Sequence, residues 1–139
     1  MSGPDALDLG GDPDFDALME ACQHGDLTAV KVNLGARREL VNGYNDVWWT
    51  PIMKSALGGQ PEAMRLLIDA DADPNAQNEK GTTALILAAY TSSEPSFVEC
   101  IRLLLGAGAD KSIKDHFDQT ALDYAKEDEH AEAITLLEL

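Results

Sequence analysis

The chain has 139 residues, 45% of them hydrophobic, which suits one compact domain with its own core. The formal charge is -15 and no Lys or Arg precedes Lys31 or follows Lys126, so the field repels phosphate backbones and anionic lipid surfaces; it favours a basic protein partner, or serves solubility alone. No apolar run approaches the roughly 18 residues that a membrane span needs, and the acidic start is unlike a secretory signal, so the expected location is the cytoplasm, with the nucleus as the alternative.

Residues 1–11 hold four Gly or Pro and little apolar content; they read as a flexible acidic leader, dispensable for folding. Asp12-Pro13 then predicts a helix start, with the carboxylate capping free amides and proline where its missing N–H costs nothing, and the first helix runs from Pro13 to His24. Gly25-Asp26 breaks it, and Leu27, Val30 and Leu34 supply the stripe of a second helix. Arg37-Arg38 follows, with one residue more than the later copies have, assigned to a surface loop. Three connections of equal length then run from Asn42 to Thr50, Asn75 to Thr83 and Ser112 to Thr120, each leading into a helix. The segment 91–96 adds four residues before a helix marked by Pro95; it is either a harmless loop insertion or a protrusion that adds contact area. The chain ends after a last helix whose Thr135 and Glu138 stand where Arg65 and Ile68 stand in the second copy, as suits a terminal unit facing water.

These pieces repeat. Lys80-Gly81-Thr82-Thr83-Ala84-Leu85 continues to Ala88-Ala89; it answers to Trp48-Trp49-Thr50-Pro51-Ile52 and to Asp118-Gln119-Thr120-Ala121-Leu122, and Met64-Arg65-Leu66-Leu67 answers to Ile101-Arg102-Leu103-Leu104 and Ile134-Thr135-Leu136-Leu137. Ala72-Asp73-Pro74-Asn75 matches Ala109-Asp110-Lys111-Ser112, and a weaker copy begins at Asp16-Ala17-Leu18. The pattern resembles the ankyrin repeat. That resemblance implies an all-α solenoid of four stacked helix-turn-helix units over 12–139, with repeats at approximately 12–42, 43–75, 76–112 and 113–139. It also implies that the three equal connections are hairpin fingers projecting from the helix pairs. Gly81 occupies the finger position where a left-handed backbone is wanted, Asp118 is tolerated there, and Trp48 is not easily accepted. Trp48 must therefore distort the hairpin or pass the left-handed role to Asn45 or Asp46.

A single such unit cannot bury its own apolar face. Stacking places Ile52, Ala56, Met64 and Leu67 against Leu85, Ala89, Ile101 and Leu104. Ala21, Ser55, Ala88 and Ala125 share one position where a small side chain lets helices approach closely. Thr50, Thr83 and Thr120 are expected to bond locally to the backbone, and Cys22 and Cys100 to be buried thiols.

No motif for zinc, phosphate, dinucleotide or a catalytic serine is present, and His24, His116 and His130 fall in different copies without a partner set. The expectation is a non-enzyme with no catalytic residue, no metal and no cofactor. Asp73-Pro74-Asn75 reads as a structural asparagine, with a substrate site for asparaginyl hydroxylation as the alternative. What remains is surface, because Trp48, Trp49, Tyr90 and Phe117 lie off the buried stripe. In the family this resembles, finger tips and first-helix surfaces line a concave binding face, which marks Asp46, Val47, Trp48, Trp49, Leu57, Glu79, Lys80, Thr82, Tyr90, His116, Phe117 and Gln119 as partner-binding. The expected function is a monomeric protein-interaction module, an adaptor or inhibitor, that binds a basic protein partner and neither nucleic acid nor membrane. The alternative is a scaffolding fragment of a larger protein.

Overall fold

The computed structural model describes residues 7–91 and 94–139; the expectations for residues 1–6 and for Ser92-Ser93 of the inserted segment lie outside them. Eight α-helices follow one another in pairs among the described residues: α1 Pro13–His24 with α2 Leu27–Ala36, α3 Pro51–Gly58 with α4 Pro61–Asp69, α5 Ala84–Tyr90 with α6 Pro95–Gly106, and α7 Ala121–Glu127 with α8 Ala131–Glu138. First helices stack on first helices and second helices on second helices, in two layers. Helix α1 starts as its sequence dictates: Asp12 accepts from the Asp14 and Phe15 amides at 2.9 and 3.2 Å, and Pro13 holds the first position. It stops at Gly25 in the left-handed region, φ 76°.

The core is the stacked apolar set. Ile52, Ala56, Met64, Leu67, Leu85, Ala89, Ile101 and Leu104 are each at most 1% exposed, and burying a side chain of the Leu, Ile or Met class contributes about 1.5–3 kcal/mol. Ser55, Ala88 and Ala125 are fully buried and Ala21 nearly so, with the Ser55 hydroxyl donating to Ile52 O at 2.8 Å. Cys22 and Cys100 are buried free thiols, and burial pushes both up to about 12. Thr83 and Thr120 accept from the Ile86 and Asp123 amides, each at 3.2 Å, and Asp123 returns the favour to Thr120 N. Thr50 departs from this expectation, since it makes no capping bond and its hydroxyl oxygen is enclosed without a partner among the described residues.

Two segments differ from the sequence reading. The residues after Arg37 form a 3-10 helix, Arg38–Asn42, where an irregular loop was expected; its Arg38 and Glu39 are exposed and its Leu40 and Val41 buried. The described part of the leader, from Leu7, is tied to the fold. Strand β1, Leu7–Asp8, pairs in parallel with β2, Gly43–Tyr44, the Leu9 amide donates to Tyr44 O at 2.8 Å, and the half-buried Leu9 packs against the core. The cause lies at Gly43. A Cβ there would sit 2.4 Å from Leu9 Cδ1 and 3.0 Å from Phe15 Cε1, so the missing side chain makes the seat for Leu9. Arg37 ties the same corner down, reaching Asp12 at 2.9 Å, Asp14 at 3.3 Å and Glu39 at 3.1 Å.

Asn42 and Asn75 stitch one copy to the next. Asn42 Oδ1 accepts from the Asp73 amide at 2.8 Å and its Nδ2 donates to Asp71 O at 3.0 Å; Asn75 accepts from the Asp110 amide at 2.7 Å and donates to Gly108 O at 3.3 Å. Both faces of the Asn75 amide are thus used structurally.

Candidate protein-binding surface

The three connections fold to one plan. Asn45, Asn78 and Asp115 each accept, through Oδ1, from the amides two and four residues on, at 2.9–3.1 Å. Each also exchanges backbone bonds across the loop: Asn45 N with Trp49 O, Asn78 N with Thr82 O and Asp115 N with Gln119 O, at 3.0–3.1 Å. The residue three positions on is left-handed in every case: Trp48 at φ 63°, Gly81 at 74° and Asp118 at 63°. Trp48 therefore takes the glycine conformation itself and passes it neither to Asn45 nor to Asp46. For a bulky L-residue this costs about 1–2 kcal/mol. Successive fingers are joined, Glu79 N donating to Val47 O at 3.2 Å and His116 N to Lys80 O at 2.9 Å, so the three tips form one continuous edge.

The two tryptophans have different surroundings. Trp48 is 39% exposed at the tip beside Val47 and Asp46. Trp49 is half-buried, packs against the core and carries Lys54 Nζ 4.8 Å from its ring centroid. Leu57 is half-buried on α3; Glu79 and His116 are exposed; Gln119 is half-buried, its Oε1 enclosed without a partner among the described residues.

Of the expected residues, Lys80, Thr82, Tyr90 and Phe117 come together in one groove of about 410 Å3, whose walls include Ile86, Leu87, Asp115 and Tyr124. Tyr90 and Phe117 are 59% and 66% exposed, unusual for aromatic side chains in a folded chain without a bound partner. Tyr90 meets Tyr124 edge to face, centroids 5.5 Å apart and planes at 89°. The Tyr124 hydroxyl donates to Asp115 Oδ2; burial first, then this carboxylate, pushes the phenol up to about 12, so it stays a donor across the physiological range. Asp115 and Tyr124 were not among the residues expected from sequence. The available signal was positional: Asp115 stands where the other fingers have asparagine, and Tyr124 where they have Lys54 and Leu87.

Charge is sorted between the faces. Arg65 and Arg102 lie along the second helices, bridging Glu62, Glu99 and Glu132 of α4, α6 and α8 at 3.6–3.8 Å, while Arg37 ties the start of α1 through Asp12 and Asp14 and Arg38 reaches Asp71 at 3.2 Å. Fingers and first helices carry only lysines. Lys114 pairs with Asp118 at 3.4 Å, Lys126 with Glu138 at 3.8 Å and Lys54 covers Trp49, so among the described residues of this face Lys80 alone has no ion-pair or ring partner. No group of three or more His, Cys, Asp or Glu among the described residues could hold a metal ion, and none of their helices is long and apolar enough to cross a membrane.

A family model for ankyrin repeats in three copies matches residues 18–115. Among curated proteins the chain is similar to the ankyrin repeat, SAM and basic leucine zipper domain-containing protein 1 of several mammals. It is 28% identical to that of Carollia perspicillata over 86% of this chain and 25% of the relative, and 30% identical to that of Colobus guereza over 62% and 18%. The protein of Saimiri boliviensis boliviensis is 28% identical over 83% and 24%. The chain thus spans about a quarter or less of the length of these relatives. Helix pairs stacked in two layers, fingers joined edge to edge and a family match over most of the chain lead to one conclusion: the chain belongs to the ankyrin repeat family.

Proposed function

We propose that this chain is a non-enzymatic, monomeric interaction module that binds a basic protein partner across its fingers and first helices. Ankyrin repeats are in general protein–protein interaction modules. The observation that carries the reading here is the groove between the fingers at 76–82 and 113–119, where exposed Tyr90 and Phe117 flank a concave wall. Aromatic side chains of this kind are the usual energetic anchors of interfaces. The excess of carboxylates, with Arg65 and Arg102 engaged by glutamates along the second helices, supports a basic partner whose association is steered and salt-sensitive.

The test is affinity capture with the wild-type chain beside Tyr90→Ala and Phe117→Ala, both at exposed positions that leave the core untouched. A stoichiometric protein retained by the wild type and lost from both variants supports the reading. Equal recovery by all three refutes it. Association rates for that protein should then fall between low and physiological salt.

A second reading, a scaffolding unit within a larger protein, is favoured by the quarter-length coverage of relatives whose names include further domains. Immunoblotting the endogenous protein for its mass tests it.

A further inference from the structure

We infer that the groove between the last two fingers is a subsite for a guanidinium, so that the partner presents an arginine side chain to it. This rests on the protein-binding reading above and specifies the chemistry of the contact. Three observations carry it. The first is a substitution inside the repeat: the finger hairpin needs only one side-chain oxygen to accept two amides, and neutral Asn45 and Asn78 supply it with the same geometry that Asp115 uses. Asp115 adds a negative charge that the hairpin does not require. The second is its setting. Asp115 is 7% exposed, lines the groove and has no ion pair among the described residues, its Oδ2 being met only by the neutral Tyr124 hydroxyl. The Phe117 and Gln119 amides and the Tyr124 hydroxyl satisfy this carboxylate as an acceptor but supply no countercharge, which a cation entering the groove would bring. The third is the wall: Tyr90, Phe117 and Tyr124 surround the same space with aromatic surface, and a planar guanidinium stacks on such rings while one of its N–H groups donates to the acceptor site that Tyr124 leaves on Asp115 Oδ2, a combination a compact, strongly hydrated ammonium matches less well.

Lys80 lines the groove and is the unpaired cation of this face. It competes electrostatically with an incoming guanidinium, so it tunes affinity downward and its removal should raise it.

The probe is N-acetyl-arginine methylamide, titrated into the full chain and followed by amide chemical shifts. The neutral isostere N-acetyl-citrulline methylamide and the lysine analogue serve as comparisons. The expected result is saturable shifts confined to residues 80–82, 90 and 115–124 with the arginine probe, at least tenfold weaker binding of the citrulline and lysine probes, and at least tenfold weaker arginine binding by Asp115→Asn. That variant retains the hairpin acceptor, as Asn45 and Asn78 show, and its unchanged spectrum elsewhere verifies the fold. Lys80→Met should bind the arginine probe more tightly. Equal shifts with citrulline, or undiminished arginine binding by folded Asp115→Asn, would overturn the subsite. The two readings fail separately: a captured partner lost by Phe117→Ala but kept by Asp115→Asn sinks the arginine subsite alone, whereas a partner kept by both sinks the protein-binding groove.

Discussion

Docking of the leader makes a quantitative test, because a single glycine is the seat for one leucine. Leu9 is half-buried on the core, and Leu→Ala at a fully buried site costs about 2–5 kcal/mol, so Leu9→Ala should cost about 1–2 kcal/mol. At Gly43 the backbone is extended, φ -72° and ψ 162°, so alanine meets no conformational penalty and lowers unfolded-state entropy by the equivalent of about 0.4–1 kcal/mol. Its Cβ would nevertheless stand 2.4 Å from Leu9 Cδ1, and overpacking of that order costs about 1–3 kcal/mol. Gly43→Ala should therefore destabilise the wild type. With Leu9→Ala already present the two Leu9 contacts are gone, while Phe15 Cε1, at 3.0 Å, still crowds the site. The second change should then cost less by about 0.5–1 kcal/mol, the coupling of residues in direct contact. Urea unfolding followed by far-UV circular dichroism on the four proteins of this cycle measures each value. Additive costs, or a Leu9→Ala protein as stable as the wild type, would refute leader docking.

Other outcomes follow from the packing and the charges. Ala88→Leu, at a fully buried contact between α5 and its neighbours, should lose about 1–3 kcal/mol by urea titration, whereas Ala88→Ser should be tolerated because Ser55 occupies the equivalent site. Trp49→Ala should lose about 1–3 kcal/mol of folding stability, below the range for a fully buried aromatic, and the folded fraction should bind a captured partner normally; Trp48→Ala, at the exposed tip, is the finger change expected to weaken that binding. The thiols of Cys22 and Cys100 should resist a disulfide reagent at pH 8 until urea exposes them. Their folded pKa is raised, so their contribution to stability is complete below about pH 9 and declines as pH rises toward 12, which unfolding titrations at alkaline pH will show. Asp12 moves the other way: its hydrogen bond to the Arg37 guanidinium holds the carboxyl below its ordinary range, so the pairing stabilises above the unfolded value and is lost as pH falls through the folded one. Arg37→Met should remove that part of the acid dependence.

What the sequence determined by itself was the repeat: the spacing of Thr50, Thr83 and Thr120, the small residues at Ala21, Ser55, Ala88 and Ala125, and the apolar stripes of the second helices. These are local or periodic properties, and periodicity alone decides which face of a helix is buried against its neighbour. The aromatic character of the concave face, through Tyr90 and Phe117, was legible for the same reason, since residues off the buried stripe have to face outward. Tertiary structure decided the rest. Leu9 looks like an isolated apolar residue in a glycine-rich segment, and the bare surface at Gly43, more than thirty residues away, gives it a place to dock. Trp48 kept the left-handed conformation because the amides fixed by Asn45 and the bond from Glu79 to Val47 hold the hairpin in register with the next one, so the neighbouring fingers overruled a local preference. The pairing of Asp115 with Tyr124 joins a finger to a helix, and a charge gained at a position that elsewhere holds asparagine acquires meaning only when the three aromatic rings around it are seen to enclose one space.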